Sequence, residues 1–168
     1  MRAHEHGYEL FTKTDHGCKE VAMEESSPAR LYCLLVGGVL VIAGIIGFFY
    51  EASFASGDSI RTADVFGVLS VNGWHNVVHI GIGALLLVAA GSAARSAALF
   101  VGVLYIVLCV LGFIATGHGG ITFVAKDDVL FKLVPVNNED NVLHLILGIT
   151  GVIAYLASRP VRRAAAAT

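Results

Sequence analysis

The feature that most constrains this chain is a run of 20 residues without a charge, from Leu31 to Tyr50. A helix needs about 20 apolar residues to cross a hydrocarbon core of about 30 Å, so this run is long enough to span a membrane. It exceeds the apolar region of about 7–15 residues in a signal peptide, and we therefore expect it to be retained. The composition agrees, because 56% of the residues are hydrophobic and only 14% are charged, against about 45–50% and 25% in soluble proteins.

Three further apolar segments predict helices at about 72–90, 97–116 and 137–157. A tight turn joins the second helix to the third, whereas the other two connections are long and polar. The sequence therefore predicts an all-α membrane protein, an antiparallel bundle of four transmembrane helices at 30–158. Residues 1–29 have no periodic apolar face and are expected to be a disordered cytoplasmic tail, with Met23 as an alternative start. Residues 159–168 are expected to form a basic, alanine-rich cytoplasmic tail.

One motif occurs twice, first from Asn72 to Gly83 and again from Asn137 to Gly148, 65 positions later. Both copies read N-x-x-x-N-V-x-H-x-x-x-G, and offsets of 4, 7 and 11 residues fall on one helical face. Four of the five asparagines in the chain pair in this way. The spacing predicts two tandem helix-hairpin repeats, at about 31–91 and 96–157. Their relating axis should lie along the membrane normal, with the second and fourth helices as diagonal symmetry mates.

The repeated motif predicts an inward-facing polar cluster, because a polar group without a partner in hydrocarbon costs several kcal/mol. His75 and Asp140 occupy equivalent positions and differ by complementary charge, so we expect them to pair at the rim of the bundle. Asn137 followed by Asp140 also resembles a capped helix start. The predicted structural cluster consists of Asn72, His75, Asn76, His79, Asn137, Asp140, Asn141 and His144.

The preferred interpretation of this cluster is structural: hydrogen bonds between helices set their register, in a membrane protein with a structural or interaction role. No nucleophile–base pair or paired catalytic carboxylates appear, so no enzymatic activity and no cofactor are predicted. The main alternative is an electron-transfer subunit in which His79 and His144 bind haem or a quinone. A divalent metal held by His75, His79, Asp140 and His144 is a third interpretation. Solute or proton conduction along the same polar face is a fourth.

Small residues recur along the apolar segments at spacings that let helix backbones approach closely in lipid. We expect these positions to pack helices together, and the glycine stripes and outer loops to be where the chain meets a copy of itself or a membrane partner. The predicted packing glycines are Gly37, Gly44, Gly47, Gly83, Gly102, Gly112, Gly148 and Gly151.

The basic residues predict the orientation in the inner membrane. Lys19, Arg30, Arg95, Arg159, Arg162 and Arg163 flank one end of the helices, and Arg61, Lys126 and Lys132 lie in the long connections. Both termini should therefore be cytoplasmic. A formal net charge of −2 gives no indication of nucleic-acid binding. The three cysteines form no CxxC or Cys/His cluster, so neither a disulfide framework nor a cysteine-ligated zinc site is predicted.

Two segments resemble the signatures of a known family. They are Phe66-Gly-Val-Leu-Ser-Val-Asn72-Gly-Trp-His75-Asn76-Val-Val-His79 and Leu133-Val-Pro-Val-Asn137-Asn-Glu-Asp140-Asn141-Val-Leu-His144-Leu-Ile-Leu-Gly148. The family is the bacterial four-helix membrane family catalogued as domain of unknown function 4383. The resemblance covers about Ala29 to Ala157 and implies a four-helix membrane topology without a catalytic role. Ser70 departs from the pattern, since a proline is expected there to match Pro135.

Overall fold

A computed structural model describes residues 27–117, 125–126 and 128–158 of the chain. The predicted tails at 1–26 and 159–168 lie outside the described residues. The described helices are α1 (Pro28–Gly47), α2 (Gly73–Ala89), α3 (Ala94–Thr116) and α4 (Asn138–Ala157). The described strands are β1 (Ala63–Val65), β2 (Leu69–Val71), β3 (Ala125–Lys126), β4 (Val129–Leu130) and β5 (Val134–Pro135).

Three of these helices, α1, α3 and α4, are long and apolar enough to cross a membrane, by length and composition. Helix α2 has 17 residues and is equally apolar but shorter, at the lower end of the range of about 17–25 residues for a spanning helix. Large apolar side chains such as Leu35, Val39, Val88 and Leu156 are exposed along the outer faces. The mostly helical chain therefore fits an all-α membrane protein.

Two helix starts differ from the sequence-based bounds. Helix α1 begins at Pro28 rather than Leu31, because Ser27 Oγ accepts a hydrogen bond from the Arg30 backbone N–H at 3.3 Å and proline suits the first helical position. Helix α3 begins at Ala94 rather than Ala97. The shift shortens the turn that precedes α3.

Helix α1 packs on α2, and α3 packs on α4, through glycines that allow close backbone contact. A Cβ atom on Gly83 would lie 2.7 Å from the backbone oxygen of Gly37, and one on Gly148 would lie 2.9 Å from that of Gly102. Such approaches are closer than real Cβ contacts allow, so both positions require glycine. Each of the eight glycines expected to pack helices is in tight contact with another part of the chain. Helical glycines with open space around them are Gly38 and Gly81.

Polar contacts join three helices at the end of the molecule where the described chain begins and ends, here called the terminal end. Ser158 Oγ accepts a hydrogen bond from the Ala29 backbone N–H at 2.8 Å, and the Ser158 carbonyl accepts one from Arg95 Nε at 3.0 Å. The Arg95 guanidinium also lies over the Tyr155 ring, 3.9 Å from its centroid. Helices α1, α3 and α4 are thus linked at this end.

The opposite end, here called the loop end, holds short β-hairpins where only polar connections were predicted. Strands β1 and β2 pair Asp64 with Ser70 and Val65 with Leu69, and β4 and β5 pair the residues 65 positions later. The turns match as well, since Phe66 and Phe131 both have φ of 52°. The segments 64–70 and 129–135 therefore share one backbone course, and β3 adds a third strand beside β4.

Candidate functional site

The candidate site lies at the loop end, where α2 and α4 begin. Asn72 and Asn137 are the N-caps of these helices. The side-chain oxygen of Asn72 accepts from the His75 backbone N–H at 2.9 Å, and that of Asn137 accepts from the Asp140 N–H at 2.8 Å. Each bond satisfies one of the backbone donors left free at a helix start. The two capping residues thereby fix where each helix begins.

The same two asparagines also connect the hairpins to each other. Asn72 Nδ2 donates to the Leu133 carbonyl at 2.7 Å, and Asn137 Nδ2 donates to the Val68 carbonyl at 2.6 Å. Leu133 and Val68 are themselves 65 positions apart. Each cap therefore holds the turn that precedes the other cap, in a reciprocal exchange.

Asn76 and Asn141 face the preceding helix rather than the histidines. The side-chain oxygen of Asn76 lies against Gly47, where a Cβ would overlap it, and the oxygen of Asn141 lies in the same way against Gly112. Asn76 Nδ2 donates to the Glu51 carbonyl at 3.0 Å. The predicted single Asn/His surface is thus divided, since Asn76 and His75 are adjacent residues and project about 100° apart on α2.

Three histidine side chains from α2 and α4 meet between these two helices. His75 Nε2 and His79 Nε2 are 3.1 Å apart and share a hydrogen bond whose donor depends on the tautomer. The ring of His144 lies 6.4 Å from that of His75, centroid to centroid. One ring nitrogen from each of the three histidines lies within 4.8 Å of the other two. The three side chains are between 2% and 9% exposed, so they form one buried group, here called the histidine cluster.

Asp140 is not paired with His75, contrary to the expectation from the sequence. Its Oδ2 accepts from the backbone N–H groups of Asn137 and Ser70, each at 3.1 Å. The first bond completes a capping box at the start of α4. Two backbone donors thus hold Oδ2 of Asp140, and the carboxylate lies outside the histidine cluster although it is buried nearby.

Several buried polar atoms of the site have no hydrogen-bond partner among the described residues. They are Nδ1 of His75, Nδ1 of His144, the Tyr105 hydroxyl and the side-chain oxygens of Asn76 and Asn141. An unsatisfied buried donor or acceptor costs about 1–3 kcal/mol. Native proteins contain few such atoms, and each calls for a cause such as a ligand, an ion or a water.

A cavity of about 190 Å³ lies beside the histidine cluster, between α2 and α3. Tyr105, whose ring centroid is 5.1 Å from that of His144, forms part of its wall, and most of the remaining lining is apolar. Sites for drug-sized ligands occupy about 300–1,000 Å³, so this space is smaller than most of them. Tyr105 was not predicted as a site residue, because a tyrosine within an apolar segment carries no signal of function.

Residues 30–157 match the family described as "Domain of unknown function (DUF4383)". The match confirms the resemblance of the two motif segments and covers all four helices apart from the first two residues of α1. No curated protein and no solved structure matched the chain.

Proposed function

This chain belongs to the DUF4383 family, and we propose that it is a multi-pass protein of the bacterial inner membrane with a structural or interaction role. In this proposal an ancestral helix hairpin was duplicated, and the two copies form an antiparallel four-helix bundle. The polar cluster at the loop end holds the two copies in register.

The observation that carries the proposal is the reciprocal exchange between the caps. Asn72 reaches the turn of the second hairpin, and Asn137 reaches the turn of the first. Two hairpins related by a two-fold axis would form such a pair of equivalent hydrogen bonds. The matching strand registers and the matching glycine contacts support the same relation.

The orientation proposed for the bundle follows from the distribution of basic and aromatic residues. Arg30 and Arg95 lie at the terminal end, which we assign to the cytoplasm because basic residues favour that side. Aromatic residues gather at the loop end, where Phe54 packs edge-on against Trp74 and Tyr50 against Phe66. Aromatic side chains of this kind are typical of a membrane–water interface.

We assign contacts with a partner protein to the loop end and not to the packing glycines. The packing glycines already contact other parts of the same chain. The tips of the two hairpins remain open, with Phe66 77% and Phe131 47% exposed. A membrane partner or a second copy of this chain would therefore meet the hairpin tips.

The test exchanges each capping asparagine for serine, which caps a helix nearly as well but has no amide donor. Asn72→Ser and Asn137→Ser should each lower the free energy of unfolding in detergent by about 0.5–1.5 kcal/mol, the net value of one hydrogen bond. Asn138→Ser is the matched control, because Asn138 is exposed at the same helix start. Wild-type stability in both capping variants would contradict the proposal.

A further inference from the structure

We propose that His75, His79 and His144 bind one transition-metal ion, with Zn²⁺ as the reference ion, at the junction of α2 and α4. The inference rests on the proposed function, because the cluster exists only where the two hairpins meet. It differs from the metal interpretation of the sequence in its ligands, since Asp140 is not among the converging ligand atoms and its Oδ2 accepts two backbone N–H groups.

The distances in the cluster are close to those of a metal centre. Zn–N bonds are about 2.0–2.1 Å, so ligand nitrogens around a tetrahedral ion lie roughly 3.3 Å apart. His75 Nε2 and His79 Nε2 are already 3.1 Å apart. One ring nitrogen of His144 lies within 4.8 Å of one ring nitrogen of each of the other two histidines, so side-chain movements of about 1–1.5 Å would bring all three rings to one ion. His75 and His79 are four residues apart on one helix, the spacing by which two histidines bind zinc from one helical face.

The unpartnered nitrogens provide a second observation. A neutral imidazole has one donor and one acceptor, yet no hydrogen bond of His144 is found among the described residues, although it is only 5% exposed. Nδ1 of His75 is unpartnered too, with the backbone of Ser70 and of Pro135 beside the ring. A metal on Nε2 would place the proton of His75 on Nδ1, where a backbone acceptor beside the ring would receive it, as is usual for a metal-binding histidine.

The donor set and its surroundings select the kind of ion. Three imidazoles suit Zn²⁺ and neighbouring ions such as Co²⁺, Ni²⁺ and Cu²⁺, whereas Mg²⁺ and Ca²⁺ prefer oxygen ligands. The fourth position would open on the cavity of about 190 Å³, which has room for water or a small anion. Asp140 lies one helical turn before His144 and is 2% exposed. A carboxylate at that spacing is close enough to offset part of the charge of the ion.

The experiment measures metal binding to the full chain, purified in detergent through a tag that contains no histidine. The stripped protein is dialysed against Zn²⁺ and the bound metal is measured by mass spectrometry. We expect one ion per chain. Loss of a residue that only hydrogen-bonds to a metal ligand weakens metal binding roughly 10–100-fold. Because His79 and His144 would bind the ion directly, His79→Gln and His144→Gln should each weaken Zn²⁺ binding by more than that.

The matched control removes the histidines outside the cluster, His4, His6, His16 and His118, together. This variant should keep one ion at wild-type affinity. Loss of the ion in the control variant, an unchanged ion in both cluster variants, or no ion in the wild type would each overturn the inference.

Cobalt gives a readout that does not depend on how the variants fold. Wild-type protein loaded with Co²⁺ should have the intense visible absorption of a tetrahedral site, and the weak absorption of an octahedral site would overturn the inference. The capping variants Asn72→Ser and Asn137→Ser are compared without metal. If these variants melt as predicted but no ion binds, the metal inference alone fails. If they melt like wild type, the proposed function fails.

Discussion

The two hairpins of this chain share an asparagine cap and a strand register, but they differ in the residues around the caps. In the first, Ser70 precedes a cap followed by His75; in the second, Pro135 precedes a cap followed by Asp140. The Ser70 N–H donates to the Asp140 carboxylate. Proline has no N–H, so Pro135 could not do the same for an acid at position 75. The hairpins thus share the residues that hold the backbone. They differ at the equivalent positions of His75 and Asp140, and His75 joins His79 and His144 in the histidine cluster.

The glycine contacts are the strongest test of equivalence between the hairpins. Gly83→Val and Gly148→Val should each destabilise the protein by about 3 kcal/mol or more, because overpacking forces the backbones apart. Gly81→Val is the matched control, since Gly81 has open space around it on the same helix. Thermal unfolding in detergent measures all three. A large effect at only one of the two tight positions would break the equivalence.

Asp140 tests the difference between the hairpins. Asp140→Ala removes the acceptor of two backbone N–H groups and should lower the free energy of unfolding by about 2 kcal/mol. Glu139→Ala is the control, because Glu139 is exposed in the same helical turn. Equal melting temperatures of the two variants would mean that the Asp140 carboxylate contributes no more to stability than an exposed carboxylate does.

Ser70→Pro makes the first hairpin resemble the second. The strand register of Pro135 indicates that the backbone accepts proline there. The cost should be about 1 kcal/mol, the value of the lost hydrogen bond to Asp140. Ser70→Ala separates the effects, because it keeps the N–H and loses only the hydroxyl contact with Asp64. A protein with Ser70→Pro that fails to fold would contradict the shared backbone course.

The asparagines inside the hairpins should have the smallest effects. Asn76→Leu and Asn141→Leu each remove a contact with the preceding helix, and hydrogen bonds between membrane helices average about 0.6 kcal/mol. Asn138→Leu, at an exposed position, is the control. Melting temperatures in the same detergent report the differences. A lower melting temperature for only one of the two variants would show that the two asparagines are not equivalent.

Much of the architecture follows from the sequence, because apolar length predicts spanning helices and a fixed spacing of 65 residues relates the two motifs. The division of the polar face could not be predicted. Asn76 and His79 lie about 60° apart on a helix, and the rotation of α2 against its neighbours decides which helix each one meets. Tyr105 and the carbonyls of Val68 and Leu133 also gave no signal, since backbone acceptors are present at every position.

The central claim is that α2 and α4 present their histidines to each other inside the bundle. Solid-state NMR on protein labelled at histidine and reconstituted in lipid measures this directly, with signals assigned through His79→Gln and His144→Gln. A through-space contact between the imidazoles of His79 and His144 is predicted, because their ring nitrogens lie within 4.8 Å of each other. Contacts of both imidazoles with lipid acyl chains, without a contact between them, would contradict the claim.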